Sequence, residues 1–282
     1  MAGMLLLMVV VAGAVTALAT VGLIRMISGR RGFSDSHGLL WQLAGLVVGF
    51  SLCAVVELLD GPRHPLVLSL PTLAGSCWLL GLIAAEHTRR GQSGAIRVAG
   101  LVPRTLSRYV ARWARVSMRA AFLAAAALAL AASALGSASD STLVSATTID
   151  GRMLSHGPWP GWYYSVPALL GLACGWVMTE WTIRTVAGRA PVTTDADADG
   201  RARVQSARAA LTAACLMALP VLGALLLTMG AGLESVSPSA LVRSIAWAMG
   251  LIGGAILLTS AVAWLSALVS GGRAVVPRVV EP

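Results

Sequence analysis

The stretch AALTAACLMALPVLGALLLTMGAG, residues 209–232, lies between Arg208 and Glu234 and contains no charged side chain. At about 1.5 Å per residue it is long enough, as a helix, to cross the ~30 Å hydrocarbon layer of a bilayer. Inside that layer no water is available to bond backbone N–H and C=O groups. A lipid-exposed segment must therefore satisfy them within itself, as a helix does.

Runs of the same kind recur at 4–24, 39–59, 66–85, 116–138, 162–181 and 241–269, which makes seven expected spans. Composition agrees: of 282 residues, 57% are hydrophobic and 12% charged, with a mean hydropathy of +0.79. Soluble domains carry about twice that charge. The two-residue alternation of a membrane β-barrel is missing. The expectation is an all-α, polytopic membrane protein with a single domain over 1–282. The apolar start has its first arginine only at Arg25. A cleaved secretory signal shows the reverse order, so this start reads as a retained first span.

Arginine placement gives direction. All 21 basic residues are arginine. Arg25, Arg30 and Arg31 follow span 1. Arg89, Arg90, Arg97, Arg104, Arg108, Arg112, Arg115 and Arg119 follow span 3. Arg184, Arg189, Arg201, Arg203 and Arg208 follow span 5, and Arg273 and Arg278 are in the tail. Those 18 share one side, and only Arg63, Arg152 and Arg243 fall on the other. The positive-inside rule puts the N-terminus outside and the C-terminus in the cytoplasm. An interfacial aromatic belt is expected where Trp159, Trp162, Tyr163 and Tyr164 precede or open span 5.

Within the largest basic loop, Arg104, Arg108, Arg112, Arg115 and Arg119 recur at three- and four-residue steps. On a helix they fall within an arc of roughly 80°. Leu106, Tyr109, Val110, Trp113 and Val116 take the opposite side, and Pro103 suits a first turn. Residues 103–115 therefore read as an amphipathic helix lying among anionic headgroups, with Trp113 and the five arginines as the membrane-surface or partner contact. An alternative is that span 4 begins earlier and bends out of the membrane near Ser117. Nucleic acid is not an expected partner, because binding it would leave Leu106 and Trp113 in water.

An internal repeat is also visible. SLPTLAG (69–75) and SVPALLG (165–171) open spans 3 and 5, and SMRAA (117–121) and SARAA (206–210) open the spans that follow. Glu86 with Arg90, and Glu180 with Arg184, stand four residues apart at the closing ends, the spacing of a helix-end ion pair. Both units run in the same direction, so the repeat is a parallel one of helical hairpins.

Other signals point away from site chemistry. No span carries an ionisable residue near its middle, where proton or ion pathways usually place one. Cys53, Cys77, Cys174 and Cys215 lie inside apolar runs and read as packing residues. The DADADG of 195–200 begins like a calcium loop, but its twelfth position is Ser206 and Arg201 and Arg203 interrupt it; it reads as a solvated acidic turn. His64, Glu57, Asp60, Asp150 and His156 form no metal-ligand spacing. Gly45–Gly49, Gly171–Gly175 and Gly250–Gly254 have the small-xxx-small pattern of close helix packing, expected within the chain. Pro71, Pro167 and Pro220 are positioned to interrupt helices around a path.

The segments AAEHTRRGQSGAIRVAGLVPRTLSRYV (84–110) and RVQSARAALTAA (203–214) resemble stretches of a group of uncharacterised actinobacterial multi-pass integral membrane proteins. The resemblance implies a bacterial envelope location and transfers no activity, cofactor or site residue.

The functional expectation is a non-catalytic plasma-membrane protein, without cofactor or metal. It would be a membrane subunit or accessory of a transport or envelope system, contacting anionic lipid and a cytoplasmic ATPase or regulator. The alternatives are a self-sufficient small-molecule transporter and, further off, a membrane enzyme with an outward-facing His/Asp site.

Overall fold

The computed structural model describes residues 36–60, 65–88, 109–136, 144–147, 153–157, 159–189, 196–236 and 239–270. Span 1 of the sequence reading and residues 89–108 lie outside them. The described chain forms α1 (Ser36–Asp60), a 3-10 turn (Val67–Ser69), α2 (Leu70–Thr88), α3 (Arg112–Leu135), strands β1 (Val144–Thr147) and β2 (Met153–His156), α4 (Trp162–Gly188), α5 (Ala196–Val236) and α6 (Ala240–Ser270). Five helical stretches are long and apolar enough to cross a membrane: Val67–Thr88, Arg112–Leu135, Trp162–Gly188, Asp197–Val236 and Ala240–Trp264. A shorter apolar stretch, Trp41–Val56, lies within α1. The protein is a membrane-embedded, multi-pass helical bundle.

The outside is as apolar as the inside. Leu80, Leu123, Leu170, Val177, Leu251 and Leu258 all point away from the protein. Water would penalise so continuous an apolar surface, whereas lipid does not. The interior is built from small residues. Along α3, Met118, Phe122, Ala125 and Ala129 are buried at helical spacing, and they share one core with Ala207, Ala210, Ala213, Ala214 and Ala218 of α5; Ala132, one turn on, packs in a second cluster with Trp159, Met229 and Val236. With no hydrophobic gain from excluding lipid, close backbone approach is what small residues supply.

α5 is the hub and touches α2, α3, α4 and α6; α1 is seated on α2. The α1–α2 seam depends on glycine. A Cβ on Gly45 would fall on the carbonyl oxygen of Cys77, and one on Gly81 on that of Trp41. The Gly45–Gly49 motif thus packs within the chain. Its counterpart in α6 also meets α5: a Cβ on Gly253 would lie 2.6 Å from the carbonyl oxygen of Gly223, and one on Gly230 of α5 would lie 2.9 Å from the backbone nitrogen of Gly250.

Several hydroxyls inside the bundle are satisfied by their own helices. Thr179, Thr182, Ser133 and Thr228 donate to the carbonyls four residues earlier, at 2.7–2.9 Å.

The end of the bundle where α4 begins holds a short hairpin and corrects one expectation. The loop before α4 contains an antiparallel hairpin, with Val144 opposite His156 and Thr147 opposite Met153. Of the expected aromatic belt only Trp162 and Tyr163 are exposed. Trp159 is fully buried, with its indole Nε1 donating to the carbonyl of Ala132 at 2.8 Å, and Tyr164 is buried as well. Trp159 caps the last turn of α3, whose carbonyls have no further helix to bond.

Candidate functional site

At the opposite end, where α2 and α4 finish and α3 and α5 begin, the bundle holds two ion-pair clusters. The first centres on Glu180 of α4. Arg119 of α3 reaches its Oε1 with Nε at 3.0 Å and Nη2 at 2.5 Å, and Arg115 donates to Oε2 at 3.3 Å. The Arg119 guanidinium also stands 6.0 Å from the ring centre of Trp176, one turn along α4. Glu180 is thus held across a helix interface, not by Arg184 of its own helix, and Arg184 is exposed. The physical reason is competition: two arginines from α3 surround a largely buried carboxylate, whereas an i,i+4 contact gains only a few tenths of a kcal/mol.

The second cluster is more deeply buried. Glu86 at the end of α2 accepts the Ser206 hydroxyl of α5 at 2.6 Å, and its other oxygen lies 2.9 Å from Nε of Arg189. Arg189 continues to Asp199 at 3.4 Å, and Asp199 pairs with Arg203 at 2.7 Å, one turn along α5. Arg203 then donates to the carbonyls of Val186, Ala187 and Arg189, at 3.2, 2.7 and 2.8 Å. A guanidinium thereby closes the C-terminal end of α4, where unpaired carbonyls and the helix dipole favour a cation. Tyr109 covers the same guanidinium, its ring centre 5.7 Å away. Two carboxylates and two guanidiniums, each at most 9% exposed in its side chain, form a neutral chain linking α2, α4 and α5. Arg90, the partner expected for Glu86, lies outside the described residues.

Sequence reading missed Arg189, Asp199, Arg203 and Ser206. Residues 193–206 were expected as a solvated turn, yet α5 starts at Ala196 and carries Asp199 and Arg203 inward. The available signals were the four-residue spacing of Asp199 and Arg203 and the acidic first turn with Asp197 and Asp199.

The arginine stripe divides. Arg104 and Arg108 lie outside the described residues. Arg112, Arg115 and Arg119 belong to α3 itself, which starts at Arg112 after a break at Val110–Ala111, four residues before the expected boundary. The apolar side does not act as one face: Val110 is buried in the core and Tyr109 packs against it, while Trp113 and Val116 point outward.

Among the described residues no group of three or more His, Cys, Asp or Glu is arranged to hold a metal ion. The side chains of Glu57, Asp60, His64, Asp150 and His156 lie outside the description. A cavity of 320 Å³ opens between α1, α2, α5 and α6, lined by Phe50, Pro71, Ala74, Pro220, Leu257 and Trp264 among others. Its hydroxyl, Ser260, is already bonded to the carbonyl of Ile256 at 2.7 Å. The chain matches no protein-family model, no curated protein and no solved structure in the comparisons made.

Proposed function

We propose that this is a non-catalytic plasma-membrane protein of a bacterium, acting as a membrane subunit or accessory of a transport or envelope system. In this reading the chain crosses seven times, with its N-terminus outside and the arginine-rich end in the cytoplasm. The observation that carries it is the contrast between the two parts of the bundle. The spans meet through alanine, glycine and self-satisfied hydroxyls, which offer a polar substrate little. The ion pairs, and the exposed Arg112, Arg184, Arg201 and Arg208 around them, gather at one end. An anionic lipid surface and a cytoplasmic ATPase or regulator are the partners this end suits.

The parallel hairpin repeat belongs to the same reading. Glu86 of the first unit reaches Ser206 of the second, and Glu180 of the second reaches Arg119 of the first. Reciprocal exchange of that kind is what two related hairpins give when docked about a two-fold axis. Purification from native membranes under mild conditions tests the accessory role: a stoichiometric cytoplasmic protein is expected, and its dissociation on Arg201→Gln/Arg208→Gln substitution. Recovery of the protein alone overturns the reading.

The apolar cavity favours a second reading, a self-sufficient transporter of an apolar compound, because Pro71 and Pro220 both line it. Vesicles containing only this protein distinguish the two: an accessory subunit moves nothing.

A further inference from the structure

We infer that the groove between α3 and α4 seats the phosphate of one anionic phospholipid, held by Arg112, Arg119 and Arg184. This rests on reading the arginine-rich end as lying at headgroup level.

The helices run antiparallel, and their register follows from observed contacts. Arg119 meets Trp176 and Glu180, and Arg115 meets Glu180. Three residues back along α3 and four onward along α4 bring Arg112 level with Arg184. Both share the stripes of the residues already paired, since steps of three and four keep one helix face, and both are exposed. The groove therefore holds four arginines against one carboxylate. Glu180 is the residue that keeps Arg115 and Arg119 in place while leaving the Arg119 side chain 44% exposed. The sequence leading into α3 supplies no relief, because residues 89–111 contain five arginines and no acid. Among the described residues of α3 and α4, Glu180 is the only acid, which leaves the groove short of an anion.

Its surroundings identify the anion as part of an amphiphile. Trp113 and Trp181, adjacent in sequence to Arg112 and Glu180, are exposed at the same level, where indoles mark the membrane–water boundary. Farther into the bundle the groove is walled by exposed Val116, Leu123, Val177 and Leu170. A free phosphate would use only the arginines; a phospholipid uses both the arginines and the walls. At this exposed level the arginines act on a phosphodiester chiefly as positive charges near the membrane surface.

The test uses the full-length protein in detergent micelles, titrated with phosphatidylglycerol, phosphatidylcholine or inorganic phosphate. Native mass spectrometry and thermal unfolding provide the readouts. One phosphatidylglycerol per protein is expected, bound at least 10-fold tighter than phosphatidylcholine. Arg112→Gln/Arg184→Gln should weaken it roughly 5-fold per arginine removed. Arg201→Gln/Arg208→Gln, which removes the same charge outside the groove, should weaken it clearly less than Arg112→Gln/Arg184→Gln does. Arg112→Lys/Arg184→Lys should retain most of the binding and shows that any loss is not misfolding. Equal binding of the two lipids, equal loss in the Arg201/Arg208 variant, loss in the lysine variant, or phosphate binding as tightly as lipid would each overturn the inference. Binding in micelles does not depend on orientation or on any protein partner, so failure here is separate from failure of the accessory role.

Discussion

Arg203 shows how much one side chain settles in this protein. Its guanidinium pairs with Asp199, sits beside Tyr109 and holds three carbonyls at the end of α4. No ammonium can reproduce that, because lysine offers a compact point charge in place of a planar fork. Arg203→Ala is expected to cost about 3–5 kcal/mol, the usual range when one partner of a buried pair is removed. Arg203→Lys should recover less than half of that, measured as the unfolding midpoint in detergent. A lysine variant as stable as the native protein would mean that charge alone matters. From sequence, Arg203 was one of a row of basic residues in a supposed loop. Its importance comes from a contact 16 residues back in the chain, which only the closed hairpin creates. Glu86 and Glu180, by contrast, stood out in the sequence by position; their partners did not, because those come from other helices.

Among elements, α1 and α2 depend on contact between main chains. Gly45→Leu places atoms on the carbonyl of Cys77, which cannot move without breaking α2. A loss of about 1–3 kcal/mol is expected, again in the unfolding midpoint. Gly254→Ala has open space around its Cβ and should be neutral or slightly stabilising. Equal effects at the two positions would contradict the packing described. Long apolar runs were legible as helices because the bilayer leaves a backbone little else to form. Helix starts were less so: α3 begins at Arg112 and α5 at Ala196, each carrying arginines that hydropathy alone assigns to loops. Arg115, Arg119 and Arg203 are tolerated within the helices because Glu180 and Asp199 meet them there.

For the whole molecule, the arginine distribution makes an orientation claim that labelling can check. In a background lacking native cysteines, Arg201→Cys should react with a membrane-impermeant maleimide only after the cytoplasmic face is opened. Ser235→Cys, at the far end of α5, should react in intact cells. The opposite result would invert the topology and require another account of the arginine bias.

The exchange of partners between distant helices also imposes a timetable on synthesis. Arg115 and Arg119 precede Glu180 in the chain, so that acid enters the membrane with its counter-ions already waiting. Glu86 is in the reverse position, because Arg189 and Ser206 follow it, the latter by 120 residues. Until the ribosome has delivered α5, the end of α2 carries an acid without its final companions. A nascent chain stopped before Arg189 should be a preferred target of membrane quality control, and one stopped after Ser206 should escape it. The last long hairpin then acts as the latch that commits the earlier helices to their final arrangement.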